Sequence, residues 1–344
     1  LNELTRVPPL RHKKTLTPLT IKERFGLKVK KQHEIENLLN FISDENQANL
    51  NFPNNFIDIG GGKGHLARLI SQKLNMQGTC IEMNKELIER GQKLVNDQNL
   101  IFSNHSLPAN DPIKSADILK ESRSNNSDLC IGLHTCGALA NSIIKASVIN
   151  DQKHLLNFGC CYLKLNPGDN IGISNASLKS PLPLSKYALT LATRAHTGLS
   201  WKDFLMKHRV KTYRYGIHLF IHYIIGIKKF INVGDGSKID YENSFSDYVT
   251  SKLKKLNLVS HLSSTEIQNW FEQKSIQNKI DEMFCMNIIR WQFGRALELW
   301  ILLDRACFLT ESGYETKLGE YFDENISPRN IGIYAKKLSN EQHL

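Results

Sequence analysis

The chain has 344 residues, 41% of them hydrophobic and 23% charged, a balance that excludes a disordered chain and leaves room for one large domain or two. No apolar run reaches the roughly 18 residues a membrane-spanning helix needs; the longest, Ile217 to Ile227, is interrupted by His218 and His222, so no membrane partner is expected. The formal charge of +10 points to polyanionic partners, and seven irregularly spaced cysteines argue against a disulfide framework and for a reducing compartment, cytoplasmic with the nucleus as the alternative.

Residues 1–30 read as a basic arm marked by Val7-Pro-Pro9 and Pro18, with its charge densest from Arg11 to Lys14 and from Lys28 to Lys31. A richness in Asn, Lys and Ile offers a second, purely compositional source for that charge. The first residue is Leu1, and no charged-then-apolar segment follows it; a targeting segment upstream stays open. From Lys30 the pattern turns amphipathic, with Ile35, Leu38 and Leu39 on one helical face.

The most informative stretch is Phe56-Ile-Asp-Ile-Gly-Gly-Gly-Lys-Gly-His65, followed by Thr79-Cys-Ile-Glu-Met83. It reads as a strand, a glycine turn, a helix and a second strand ending in an acid, the first unit of a doubly wound sheet whose ligands bind beyond the carboxyl ends of the strands. Counting from Gly60, the third glycine of a dinucleotide fingerprint falls on His65, so that pattern is broken. What stands is Asp58-x-Gly60-x-Gly62-x-Gly64, the form met in S-adenosylmethionine (SAM) methyltransferases. SAM carries no pyrophosphate, and its methionine tail and ribose need bare backbone, which glycine supplies. The expected cofactor residues are Asp58, Gly60, Gly61, Gly62, Gly64, Glu82 and Met83, with Glu82 taking the ribose hydroxyls. A glycine turn holding another mononucleotide, or none, is the competing reading.

Further along, Leu100 to Phe102, Leu129 to Leu133 and His154 to Gly159 read as parallel strands, with helices over Leu66 to Leu74, Lys85 to Asn96 and Ala138 to Ser147. The polar pieces His134-Thr-Cys-Gly137 and Cys160-Cys-Tyr-Leu-Lys164 follow the fourth and fifth strands, where a cofactor would lie. From 181 to 285 the chain turns helical (Leu184 to Thr193, Trp201 to Ile227, Phe245 to Leu256, Thr265 to Phe271) and reads as an insertion. Asn287 to Leu309 follows as a long helix carrying Trp291, Phe293 and Trp300 as core, and Asn330 to Lys337 as a strand completing the sheet. The expected organisation is a basic arm at 1–30, a core at 31–180, the insertion at 181–285 and a closing helix and strand at 286–344.

Seven pieces in one order resemble the methyltransferase-domain family that includes methyltransferase-like protein 25: Lys30-Lys-Gln-His-Glu34, Asp58-Ile-Gly-Gly-Gly-Lys-Gly-His-Leu66, Leu133-His-Thr-Cys-Gly137, Phe158-Gly-Cys-Cys-Tyr-Leu-Lys164, Pro183-Leu-Ser185, Ile301-Leu-Leu-Asp-Arg305 and Ser327-Pro-Arg-Asn330. The His-x-Cys-Gly and Cys-Cys-Tyr pieces are also remotely similar to the zinc-finger tRNA ribose methyltransferases. The resemblance implies an α/β fold, a Rossmann-like doubly wound sheet of the SAM-dependent methyltransferase type with a helical insertion, and SAM as cofactor. One departure is Ala138, where relatives often carry an acid.

Methyl transfer needs an acceptor aligned with the sulfonium and a route for its proton. His134, at the end of the fourth strand, suits a general base, with a hydrogen-bonded structural histidine as the alternative. Lys164 and Tyr162 are candidates to orient a substrate, and Lys31 and His33 to close over the cofactor carboxylate. The strand-four sequence lacks the Asn or Asp-Pro-Pro-Tyr arrangement of exocyclic base methylation. Cys136, Cys160 and Cys161 converge at the sheet edge and raise a metal or a covalent cysteine, but their spacing along the chain is not that of zinc, so no metal is assigned. His218 and His222 lack the glutamate of a zinc hydrolase helix. The expected activity is methyl transfer to oxygen or nitrogen of a macromolecule, RNA or a ribonucleoprotein before protein, with a silent SAM- or RNA-binding scaffold as the alternative. Nothing in the sequence gives the oligomeric state.

Overall fold

A computed structural model describes residues 6–9, 16–49, 51–95, 98–122, 129–168, 170–193 and 200–338. Among them, seven strands form one sheet: β1 (Asn55–Ile59), β2 (Gln77–Glu82), β3 (Leu100–Asn104), β4 (Leu129–Cys136), β5 (His154–Cys160), β6 (Tyr314–Glu320) and β7 (Ile331–Lys337). Their order is β3-β2-β1-β4-β5-β7-β6. The first five are parallel, and β7 runs antiparallel between β5 and β6. The closing strand therefore completes the sheet as the sequence predicts. The α/β, doubly wound, Rossmann-like expectation is met, and the strand order reverses between β1 and β4, which opens a crevice at their carboxyl ends.

Alternation along the strands sorts the core. Phe56, Ile131 and Leu156 pack in one cluster with Leu38 and Leu69. Their neighbours Ile57, Cys130 and Leu155 pack in another with Ile143 and Leu302. Adjacent strand residues face opposite sides, so the two clusters are the two faces of the sheet, and strands buried on both sides read as continuous apolar runs. The helices Val29–Ala48 and His65–Leu74 supply Leu38 and Leu69 to the first face, and Ala138–Ile149 supplies Ile143 to the second.

Several boundaries differ from the sequence reading for physical reasons. The helix expected from Asn287 begins at Lys274 and runs to Glu311, because Ile276, Ile280 and Phe284 continue its buried stripe one turn at a time. Phe293, expected in the core, is 48% exposed. β4 does not stop at Leu133: it passes through an irregularity between Gly132 and Thr135 and carries His134, Thr135 and Cys136 itself.

Contacts divide the chain into two units, residues 1–197 with 293–344, and residues 198–292. The helical segment expected at 181–285 thus divides from the sheet unit at 198 and 292. The second unit holds the helices Trp201–Tyr223, Phe245–Lys255 and Ser264–Glu272, each started by a serine (Ser200, Ser244, Ser263) that accepts a backbone N–H three residues on. Its core joins Tyr213, Phe220, Phe245 and Phe271, with the Phe245 and Phe271 rings stacked at 3.7 Å. Among the described residues no helix is long and apolar enough to cross a membrane. The Arg11 to Lys14 part of the basic arm lies outside the described residues.

Candidate active site

The turn from β1 into the His65–Leu74 helix is built on left-handed backbone: Gly60, Gly62 and Gly64 have φ of +70°, +62° and +67°. At Gly60 and Gly62 an added Cβ would meet nothing within 4 Å, so the loop offers bare backbone to open space. Gly61 is a glycine for the opposite reason. A Cβ there would lie 2.5 Å from Cys80 Sγ and 2.7 Å from Asp58 Oδ2. Gly64 presses against the Phe102 ring, 2.7 Å from where a Cβ would be.

Glu82, at the end of β2, faces this loop. Its Oε2 accepts the Gly62 N–H at 3.0 Å and its Oε1 the Asn84 N–H at 2.9 Å. Each carboxylate oxygen keeps acceptor capacity beyond those bonds. Asn104 donates to the Glu82 and Met83 carbonyls at 3.0 Å, fixing the chain just past the acid, and the Met83 side chain is 69% exposed. Asp58 is 1% exposed, and its Oδ2 has no hydrogen-bond partner. Burial pushes its carboxyl up to about 6, against the downward pull of the Lys31 charge and the Ala67 N–H. These are the features of a cradle for a ligand with a diol and polar groups: open glycine backbone, a held carboxylate at one end and an orphaned buried carboxyl oxygen at the other. The residues fit SAM.

A second group lies beside it. His134 sits in left-handed backbone (φ +65°), and its Nε2 lies 2.8 Å from Glu34 Oε1. Glu34 is 1% exposed; Ser327 Oγ donates to the same oxygen at 2.6 Å, and Lys30 Nζ stands 3.5 Å away. Burial pushes the Glu34 carboxyl up, but His134, Ser327 and the Lys31 charge outweigh it and hold it down at about 2. The carboxylate is thus ionised at neutral pH, so Nε2 of His134 carries the proton and donates to it. Lys31 is held below its ordinary range by burial, offset by Glu34 and Asp58. His33 turns elsewhere: its Nε2 accepts the Asp323 N–H at 2.9 Å. Lys31 is thus drawn toward the two buried carboxylates, while Lys30, 47% exposed, pairs with Glu34 from the surface.

A family model described as a methyltransferase domain matches residues 30–168. Four of the seven motif pieces lie inside the match, including all of the cradle and the Glu34–His134 pair. The probable methyltransferase-like protein 25 of Homo sapiens is 29% identical over 224 residues, covering 61% of this chain and 37% of that protein. Its counterpart in Mus musculus is 26% identical over 238 residues with the same coverage. The chain spans 37% of the length of these relatives. Among solved structures, the plantazolicin methyltransferase BamL, in complex with a triazolic desmethylPZN analog and S-adenosylhomocysteine (SAH), is 20% identical over 40% of this chain and 48% of that one, at a TM-score of 0.29, too low to carry an argument.

The two polar turns after β4 and β5 are locked together. Gly137 N–H donates to the Cys160 carbonyl at 3.1 Å, and a Cβ on Gly137 would lie 2.5 Å from the Lys164 backbone. Lys164 is exposed on the short turn Tyr162–Lys164. Arg305, from the long helix, donates to the Gly137 carbonyl at 3.2 Å and to Asn141 Oδ1 at 2.8 Å, and Asp304 accepts the Ile173 and Ser174 N–H groups at 2.7 and 3.1 Å. The Asp-Arg pair thus ties that helix to the loops at the sheet edge. Tyr162 is wholly buried, 3.4 Å from Glu298, and orients nothing at the surface. His218 stacks on Phe230 in the second unit at 5.1 Å. Glu34 and Ser327 fall in two of the motif pieces, but the sequence assigns neither a role in the site. The available signal was Glu34 itself, one turn before Leu38 in a buried helical stripe, where an unpaired glutamate does not stay.

Proposed function

We propose that the chain is a SAM-dependent methyltransferase whose acceptor is an oxygen or nitrogen of RNA. The observation that carries the reading is the cradle: an open glycine backbone at Gly60 and Gly62 with Glu82 already held across it, inside a methyltransferase domain. SAM supplies an electrophilic methyl on a sulfonium. Glu82 accepts the ribose hydroxyls on the lone pairs its backbone donors leave, Met83 covers the base, and the orphaned Asp58 oxygen takes a polar group of the amino-acid tail.

His134 serves the acceptor. With Nε2–H fixed on Glu34, Nδ1 takes the acceptor's proton, and the ionised Glu34 steadies the imidazolium that results. Lys164, exposed beside the same edge, positions the polar end of the substrate. This arrangement needs no acid at Ala138, whose absence motivates the silent-scaffold reading.

RNA is favoured by charge and by a pocket in the second unit. A cavity of about 430 Å³ there is lined by Lys211, Arg214, Lys228 and Lys229 together with Tyr215 and Phe230. Cations for phosphates interleaved with rings for bases is the composition of a single-strand nucleic-acid site. The test is transfer of label from methyl-tritiated SAM into separated RNA and protein fractions. RNase-sensitive label, reduced in a Lys228→Glu, Lys229→Glu variant, supports the reading. Label confined to protein overturns the RNA assignment, and SAM binding with no transfer to either fraction favours the scaffold.

A further inference from the structure

We propose that Cys136, Cys160 and Cys161 form a binding site for one thiophilic d¹⁰ cation, zinc in the first instance, at the carboxyl edge of β4 and β5. The three Sγ atoms all lie within 4.8 Å of one another, the one such group of potential ligands among the described residues. Cys136 and Cys160 approach to 3.3 Å. Three thiolates at about 2.3 Å from a tetrahedral zinc stand about 3.8 Å from each other, so shifts of up to about 1 Å close the set. The inference is independent of the proposed methyl transfer.

Chain spacing conceals this arrangement. Cys136 ends β4, Cys160 ends β5, and the two are register partners in the sheet. Cys161 is the next residue, and in an extended chain neighbouring side chains point to opposite faces. Its backbone is left-handed (φ +47°), which breaks that alternation and brings its sulfur to the same place as its neighbour's. A non-glycine residue in this conformation is strained and persists where the surroundings hold it. Here they do: the Gly137 N–H bond to the Cys160 carbonyl and the Arg305 bond to the Gly137 carbonyl fix both turns before any ligand arrives.

The donor set selects the ion. Three sulfurs suit zinc or copper(I) and reject magnesium and calcium, which take oxygen. The thiols give up their protons to solvent as the cation binds, and the cation changes no oxidation state. Three protein ligands leave one coordination position open, two residues from His134.

The test uses the full chain, reduced and freed of metal. Cobalt(II) is the probe, followed by displacement with zinc. The expected result is one cobalt per chain with thiolate charge-transfer and tetrahedral visible bands, bleached by zinc, lost in Cys136→Ser and Cys161→Ser, and retained in Cys285→Ser. A readout free of folding artefacts is alkylation of the unmutated chain: zinc should slow modification of Cys136, Cys160 and Cys161 at least tenfold while the exposed Cys285 and Cys307 react as before. Absence of the cobalt–thiolate spectrum with unchanged alkylation of the three overturns the site. So does a Cys136–Cys160 disulfide that re-forms in the presence of zinc.

Discussion

Replacing Asp58 by Asn removes a carboxyl that burial has raised from 3.8 to about 6 and that keeps one oxygen without a partner. At pH 3 both the folded and unfolded chains hold this proton. As the pH rises through 3.8 the unfolded chain releases it while the folded chain retains it until about 6, so the unfolded state binds fewer protons and stability falls across that window. A gap of about two pH units at 1.36 kcal/mol each amounts to about 3 kcal/mol. Asn keeps an acceptor for the Ala67 N–H but sets an amide nitrogen where the orphaned oxygen was, at a cost of about 1–3 kcal/mol that does not vary with pH. The quantity to measure is therefore the difference between variant and wild type in urea unfolding from pH 3.5 to 7.5. That difference should move by about 3 kcal/mol in favour of the variant as the pH rises, then level off. A flat difference, or one moving in favour of the wild type, would mean that Asp58 is ionised and well partnered, and the picture of a carboxyl waiting for a ligand would fail.

Two glycines one residue apart should respond oppositely. Gly60→Ala places its Cβ in open space, so it should cost only the strain of φ +70°, on the order of 1–2 kcal/mol, yet block SAH binding measured by calorimetry. Gly61→Ala drives a Cβ into Cys80 and Asp58 and should lower the unfolding free energy by roughly 1–3 kcal/mol or more. For Glu34, held at about 2 against an ordinary 4.5, the stabilisation is present above pH 4.5 and lost as pH falls toward 2; Glu34→Gln should flatten the acid limb of an unfolding profile by about 3 kcal/mol and slow any methyl transfer. Asp304→Asn removes the charge that holds the Ile173 and Ser174 N–H groups and should destabilise the sheet unit by about 1.5–3 kcal/mol in thermal melts.

The part of the site that sequence exposes is the part made by neighbours in the chain. Phe56 to Glu82 announces itself because glycine punctuation, strand periodicity and the terminal acid all act within a few turns, and in the structure Glu82 bonds across the loop to Gly62. What it conceals is made by distance. Glu34 reaches His134 across 100 positions and Ser327 across 293, and no local pattern encodes such pairs. The convergence of the three cysteines follows from their places at the strand ends, but the left-handed backbone of Cys161 that turns its sulfur to its neighbour's side does not. Charge counted along the chain does not separate Lys31, drawn toward the buried Glu34 and Asp58, from its exposed neighbour Lys30. The early start of the long helix at Lys274 was legible in Ile276, Ile280 and Phe284 once four-residue spacing is followed upstream of Asn287.

Calorimetric titration of SAH into the wild-type chain and Glu82→Ala reads whether the glycine loop and Glu82 hold SAM. One site per chain is expected in the wild type and an affinity at least about tenfold weaker in the variant, since each hydrogen bond to a charged acceptor contributes about 1.5–3 kcal/mol, with circular dichroism unchanged. No SAH binding by the wild type, or equal binding by a folded Glu82→Ala, would contradict it.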